Sequence, residues 1–434
     1  MRIHQRLIQT VASVSLLSAS FCFAADPALD TQAETQGVPV NELRVFAEVM
    51  ERIRNAYIDD VDDKTLLESA IRGMLYELDP HSNYLNPEEF KDLQVTTTGE
   101  FGGLGIEVTL ENGFVKVVSP IDDTPASKAG ILAGDLILKI DDTFVKGLSL
   151  DDAVDLMRGP VNSEVRLSIL SAGDQKPRTV KLKRDRIRIK SVRTKMLEPG
   201  YGYLRITQFQ SQTGRDASNA LKALLAKEKL NGLVLDLRNN PGGVLSAAVQ
   251  ISDMFLNSGL VVYTQGRAEN SRTNYAATQG DLLDGKPIVV LVNAGSASAS
   301  EIVAGALQDQ ERAIIVGQRT FGKGSVQTIL PLHDDRALKL TTARYYTPNG
   351  RSIQAEGIQP DIVTEVARIE LAGEDNSVRE ADLRGHLENT QANEAQGDNE
   401  DAPLAVRDYA LYEALSILKG IHLANRLHTE PRSQ

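Results

Sequence analysis

The stretch Asn293-Ala-Gly-Ser-Ala-Ser-Ala-Ser-Glu-Ile302 sets serines among small residues, directly after the apolar run Pro287-Ile-Val-Val-Leu-Val292. Small residues at a strand end let a second backbone approach closely. The pattern predicts a helix from about Ser298 to Leu307, so Ser298 stands at its start. Free N–H groups and the positive helix end meet there and can stabilise an oxyanion. A serine in that place also serves as an ordinary N-cap, and this segment read alone favours the cap. A serine nucleophile needs a base. Lys323 lies in Thr320-Phe-Gly-Lys-Gly-Ser325, a Gly-flanked turn between apolar strands from which its side chain can point inward. To act near neutrality its pKa must fall from about 10.4 to ~7–8, roughly 4 kcal/mol of bias against the charged form. A helix end supplies at most ~2 kcal/mol of that, so burial must supply most of it. Gln327 can hold the neutral amine by a hydrogen bond. An exposed loop lysine is the commoner alternative.

Other chemistries lack their residues. His4, His81, His333, His386, His422 and His428 are the histidines, and none sits in a Gly-rich strand end. There is no H-E-x-x-H and no G-x-S-x-G, which weakens a Ser-His-Asp reading. Ser416-Ile-Leu-Lys419 fits S-x-x-K, but it lies on an amphipathic C-terminal helix with too little chain after it for that pattern's companions. Cys22 is the single cysteine, which excludes a disulfide framework and a cysteine-based zinc site.

The elements that must position Ser298 and Lys323 alternate apolar runs with helical stretches across 187–365, which predicts an α/β core. Gly232-Leu-Val-Leu-Asp-Leu237 reads as a buried strand ending in Arg238-Asn-Asn-Pro-Gly-Gly243, and Ala313-Ile-Ile-Val316 as another strand. Function in such sheets gathers at the carboxyl ends of strands, where these loops lie. Residues 41–95 read as helical. Leu43, Phe46, Met50, Ile53 and Tyr57 form one stripe, and Ala70, Ile71, Met74, Leu75 and Leu78 another, with Thr65-Leu-Leu-Glu68 fitting a capping box. These stripes must bury against the chain's own core or a second subunit. The same choice faces Leu411, Ala414, Leu415, Leu418 and Ile421 near the C-terminus. Residues 371–403 are polar and acidic and read as a mobile linker.

Residues 98–186 read as short β segments with one helix, Ser149-Leu-Asp-Asp-Ala-Val-Asp-Leu-Met157. Phe101-Gly-Gly-Leu-Gly-Ile-Glu-Val108, Ala126-Ser-Lys-Ala-Gly130 and Ala133-Gly-Asp-Leu-Ile137 follow one another as in a PDZ domain, and the region resembles the form found in bacterial proteases. Gly103, Leu104, Gly105 and Ile106 match the PDZ carboxylate loop. Glycines there let successive N–H groups converge on one anion, and the adjoining strand can accept a peptide by β-augmentation.

Asn293 to Ile302, Phe321-Gly-Lys-Gly-Ser-Val-Gln327 and Asp236-Leu-Arg-Asn-Asn-Pro-Gly-Gly243 together resemble the carboxyl-terminal processing proteases, also called tail-specific proteases. Tyr346-Thr-Pro-Asn-Gly-Arg-Ser-Ile353 and Gly357-Ile-Gln-Pro-Asp361 fit the same family, and the likeness spans roughly 40–365. The resemblance implies a crotonase-like α/β protease core with a Ser-Lys active site: Ser298 as nucleophile, Lys323 as general base and Gln327 orienting the lysine. It further implies an oxyanion hole from the N–H of Ala299 and of Gly243 or Gly242, no metal and no cofactor. Arg158, in Met157-Arg-Gly-Pro160, matches a position thought to couple PDZ and protease. Protein substrates with accessible C-termini are the implied partners, cell-wall hydrolases and other envelope proteins among them, and some relatives work with a lipoprotein adaptor.

The chain has 434 residues, 41% hydrophobic and 24% charged, which fits a soluble multidomain protein. With 47 basic and 59 acidic residues the net charge is −12, and there is no Trp, so neither a phosphate-binding face nor a base-stacking platform is expected. Arg2 and Arg6 precede the short apolar stretch Leu7 to Phe23, which ends in small residues and reads as a secretory signal cleaved near Ala24. The run falls short of the ~20 residues of a membrane span, so no stable span is expected after cleavage, and a periplasmic location is. The expected organisation is signal 1–24, N-terminal helical region 25–97, PDZ domain 98–186, protease core 187–370, acidic segment 371–403 and C-terminal helix 404–434. Apolar helices at both ends predict a homo-oligomer. Two alternatives stand beside the protease: a non-catalytic PDZ scaffold, and an acyl-group enzyme acting on thioesters, which an export signal disfavours.

Overall fold

The computed structural model describes residues 39–111, 113–121, 123–171, 173–278, 280–365, 384 and 403–429. The expected signal lies outside the described residues, as does the acidic segment apart from Arg384 and Pro403. The chain divides into two compact units, one ending at Ala70 and one beginning at Ile71. In the first, the helix Val40–Ala56 carries the predicted stripe, yet none of its residues is buried. The next helix, Asp63–Tyr76, corrects the predicted capping box. Asp62 is the capping side chain, accepting from the Thr65 N–H at 3.0 Å, so Thr65 lies inside the helix and not ahead of it. The 41–95 region is also not wholly helical, because Asn83–Leu85 forms a strand before the helix Pro87–Thr98.

The second unit is built on a six-stranded sheet in the order Val192–Glu198, Tyr201–Ile206, Gly232–Asp236, Ile288–Val292, Ile314–Gly317 and Ile362–Val363. All neighbours after the first pair run parallel. A parallel sheet must be covered on both faces, which is why the central Ile288–Val292 is a continuous apolar run and Gly232–Asp236 is apolar up to Asp236. Leu204, Leu233, Leu235 and Val290 face the helices Thr213–Lys227, Leu245–Asp253 and Ala299–Asp309. Tyr203, Val234, Val289 and Val316 face Leu411, Ala414, Leu415 and Leu418 of the helix Tyr409–Thr429. That C-terminal stripe is therefore core, and it is not a free assembly face. Asp408, at the start of this helix, clasps Arg238 at 2.8 Å, and Arg238 in turn pairs with the buried Asp236 at 2.7 Å.

A second sheet stands beside the first. Ala337–Tyr346 is its centre, flanked by Asn83–Leu85, Ser325–Pro331 and the hairpin Leu260–Gly266 with Thr273–Ala276. It brings the lysine-bearing turn 320–325 to the parallel strand ends. The PDZ-like region is an antiparallel sheet ordered Ile106–Glu111, Phe114–Pro120, Leu136–Ile140, Glu164–Leu170 and Arg178–Lys183, around its own core of Val115, Ile137, Val165 and Ile169. Its helix is Leu150–Met157, with Ser149 as N-cap. The ribbon of Glu100–Gly103 with Asp185–Arg188 carries the chain in and out of it.

Candidate active site

Two parallel strands deliver the site. Gly232–Asp236 runs out into the turn 237–243, and Ile288–Val292 into 293–298. Asn240, fully buried, ties the two: its carbonyl accepts from the Ala297 N–H at 3.0 Å and from Ser300 Oγ at 2.9 Å. Ser296 Oγ donates to the Leu237 carbonyl at 2.8 Å. Ser296 and Ser300 are thus structural, which leaves Ser298. Its backbone sits at φ 57° and ψ −112°, a conformation that non-glycine residues rarely hold. At the start of the helix Ala299–Asp309, Glu301 Oε2 accepts from the Ser298 N–H at 2.7 Å, the reciprocal half of a capping box. The backbone strain is more than a simple cap requires.

Gly242 packs against the serine so closely that a Cβ there would fall 2.7 Å from Ser298 Cβ, and its φ of 98° suits only glycine. Gly243 is as tight, with an added Cβ 2.1 Å from the Phe209 carbonyl oxygen. The two glycines differ in what their N–H groups do. Gly242 N–H donates to Asn240 Oδ1 at 2.9 Å. Gly243 N–H and Ala299 N–H donate to no described residue, and both residues line one cavity of about 430 Å³ with Ser298. Of the two expected glycines, Gly243 is the one left with a free donor.

Lys323, Gln327, Lys339 and Tyr345 line the same cavity. Burial pushes the Lys323 amine below the usual lysine range, and the nearby Lys339 cation pushes the same way, against the opposing charges of Asp79 and Glu301. The buried Tyr345 hydroxyl donates to the Lys323 carbonyl and lies within reach of the Ser298 hydroxyl, while burial pushes its phenol above the usual tyrosine value. Glu301, wholly buried, also accepts from the Lys323 N–H at 2.9 Å, so one carboxylate tethers the serine and lysine backbones together. The cavity brings Ser298, Lys323 and Gln327 together, but in this conformation no hydrogen bond joins the Lys323 amine to Ser298 or Gln327. The expected Gln327–lysine contact is not made: its amide nitrogen donates to Ser325 Oγ at 2.9 Å and Thr341 Oγ1 at 3.3 Å.

Known proteins carry the same arrangement of segments. A family model described as peptidase family S41 matches residues 200–364, a PDZ domain model matches 116–171, and a model of the activating protease CtpB N-terminal domain matches 12–89. A carboxy-terminal-processing protease of Bartonella bacilliformis is 48% identical over 422 residues, covering 96% of each chain. The chain belongs to the carboxy-terminal processing proteases. A carboxyl-terminal-processing protease of Synechocystis is 41% identical over 70% of this chain and 72% of its own. The solved photosystem II D1 C-terminal processing protease is 35% identical, covering 75% of this chain and 93% of its own at a TM-score of 0.44. This processing protease is accordingly a serine-type peptidase with a PDZ domain, helical termini and a mixed α/β core.

The PDZ domain has an edge strand after the loop 103–106. Ile106–Glu111 is an edge strand paired on one side only, with Phe114–Pro120. The loop before it is held by its carbonyls: Leu104 accepts from the Ala126 N–H at 3.0 Å and Gly105 from the Ile121 N–H at 2.8 Å. The Leu104 and Gly105 N–H groups donate to no described residue. Gly105 has φ 74°, and a Cβ there would fall 2.3 Å from Thr124 Cβ, which fixes glycine at this turn. Arg158 caps the PDZ helix and stacks 5.2 Å over the Phe101 ring. It also reaches Asp92 at 3.7 Å on the helix Pro87–Thr98, whose Leu93, Thr96 and Thr97 line the protease cavity.

Sequence reasoning passed over Glu301, Lys339, Tyr345 and Asn240. Only Glu301 left a local signal, because Ser298-Ala-Ser-Glu301 is itself an S-x-x-E pattern. The others come from distant strands and loops.

Proposed function

We propose that this processing protease is a periplasmic endopeptidase that captures substrate C-termini in its PDZ groove and cleaves through an acyl-enzyme on Ser298. The observation that carries the reading is one cavity lined by a strained serine, a half-buried lysine of lowered pKa, and two free backbone donors. Lys323, as neutral amine, takes the serine proton while Ser298 Oγ adds to the scissile carbonyl. The N–H groups of Ala299 and Gly243 receive the developing oxyanion. The ammonium then protonates the leaving amine, and the lysine afterwards activates water to release the acyl group. The missing Lys323–Ser298 contact fits a resting arrangement, and the Arg158–Asp92 link offers a route by which the PDZ domain biases the cavity wall. The N-terminal basic-apolar-small pattern supports export to the periplasm, and with it envelope proteins such as cell-wall hydrolases as substrates. The helix Val40–Ala56, with no buried residue, supports a homo-oligomer.

A reporter protein with an apolar C-terminal tail tests the capture step. Amidating its terminal carboxylate removes the charge that the Leu104 and Gly105 N–H groups would bind. The KM is expected to rise about tenfold, corresponding to ~1.4 kcal/mol, with kcat little changed. Equal cleavage of free and amidated tails overturns C-terminal capture.

The base reading has its own pH test. Activity rises with pH as the Lys323 ammonium loses its proton, so the acid limb of kcat/KM reports its pKa. Lys339→Met removes a neighbouring cation that lowers this pKa. The acid limb is therefore expected to move to higher pH, while Lys339→Arg leaves it in place. A limb that does not move in Lys339→Met shows that another group sets it.

A further inference from the structure

The strand Asn83–Leu85 adds to the edge of the second sheet by pairing with Ala337, Leu338 and Lys339. This places the preceding turn, Asp79-Pro-His-Ser82, against Thr341. The turn is rigid: Asp79 Oδ1 accepts from the N–H groups of His81 at 2.8 Å and Ser82 at 2.9 Å. Ser82 Oγ donates to Asp79 Oδ2 at 2.7 Å and accepts from the Thr341 N–H at 3.1 Å. On the other side of the same strand, a shift in register after Val326 sets Gln327 opposite Thr341. Bulges of this kind re-aim side chains beside active sites.

We propose that Asp79 and Thr341 are positioning residues that fix the polarity of the Gln327 amide, turning its carbonyl oxygen to the Lys323 amine. The argument follows the protons. The hydrogen bonds from Ser82 and from the His81 and Ser82 backbone outweigh burial and keep Asp79 ionised, so it can only accept. Thr341 has one hydroxyl proton and gives it to Asp79 Oδ1 at 3.1 Å. Its oxygen is then left to accept, and it accepts from Gln327 Nε2 at 3.3 Å. The second Nε2 proton goes to Ser325 Oγ at 2.9 Å. Both amide protons are spent, and Oε1 is the free end of Gln327. That polarity matters to a lysine base. An accepting Oε1 holds an N–H of the neutral amine and leaves the nitrogen lone pair for the Ser298 proton. A reversed amide would donate into the lone pair and occupy the base.

This inference rests on the Ser298–Lys323 reading, and the variants separate the two. Thr341→Val keeps the shape and removes the hydroxyl. It is expected to lower kcat ten- to a hundredfold with KM unchanged, and Thr341→Ser is expected to restore kcat to within a few-fold of the parent. Combined with Gln327→Ala, Thr341→Val should cost nothing further, because both act through one amide. Thr341→Ala repeats the measurement should the valine variant melt early. Losses that multiply in the double variant, or an unimpaired kcat in the hydroxyl-free variants while Lys323→Ala is inactive, overturn the positioning role alone. An active Lys323→Ala overturns the dyad and this inference with it.

Discussion

Ser298→Ala and Lys323→Ala are each expected to lower kcat for an apolar-tailed protein substrate by at least about 10⁴-fold, and the double variant no further. Groups that act as one unit fail together, because in the proposed mechanism the Lys323 amine is the acceptor of the serine proton. Lys339 also lines the cavity, from the strand Ala337–Tyr346, and burial lowers the pKa of Lys323. Lys323→Arg is expected to be as inactive as the alanine variant, since a guanidinium does not lose its proton at workable pH. Residual activity well above the uncatalysed rate is still expected from the free N–H groups of Ala299 and Gly243, which no side-chain change removes. The measurement is steady-state cleavage followed by gel or fluorescence, with melting curves to show that the variants fold. Full cleavage by Ser298→Ala would show that Ser298 is not the nucleophile, and binding of C-terminal tails with no cleavage by the parent protein would return the chain to the scaffold reading. Thioester hydrolysis without proteolysis would favour the acyl-group alternative.

How much of this could be read from the residues depends on whether the signal was local. The parallel strands were legible because strands buried on both faces are largely apolar, as Ile288–Val292 is throughout and Gly232–Asp236 is up to its last residue. The serine and lysine turns were legible because glycines and small residues mark where backbone comes close. The tight turn before the strand Ile106–Glu111 was legible for the same reason at Gly105. Partner choice was not legible. Leu411, Ala414, Leu415 and Leu418 looked equally suited to a core or a second subunit, and only the fold shows Tyr203 and Val289 beneath them. Thr65 looked like a cap because S/T-x-x-E fits a helix start, yet Asp62 lies nearer the first free N–H groups and accepts two hydrogen bonds from Thr65. The same pattern at Ser298 was overlooked, although there its glutamate holds the site together. Contacts such as Asp79 with Thr341 depend on the register of a strand added from far along the chain, and no periodicity within either segment encodes that.

Glu301 carries the second large expected effect. It is wholly buried, and its two oxygens accept from four donors: Ser298 N–H at 2.7 Å and Lys323 N–H at 2.9 Å on Oε2, Gly322 N–H and Thr320 Oγ1 each at 2.6 Å on Oε1. Thr320 Oγ1 passes the connection on by accepting from the Ile358 N–H at 2.6 Å. Glu301→Ala leaves these donors without an acceptor in the interior, at about 1–3 kcal/mol each before relaxation and water entry. A net loss of about 3–5 kcal/mol is expected, read as a lower midpoint in urea at unchanged slope. Glu301→Gln separates stability from chemistry. With its carbonyl at the Oε2 place it keeps the bonds to Ser298 and Lys323, and the Thr320 hydroxyl can turn to accept, but the Gly322 N–H then faces an amide N–H. That variant is expected to lose only about 1–2 kcal/mol of stability while kcat falls roughly a hundredfold, because the turn carrying Lys323 shifts relative to Ser298 and small misplacements of catalytic groups cost that much. A glutamine variant as active as the parent would show that Glu301 supports the fold without setting the distance between the two turns.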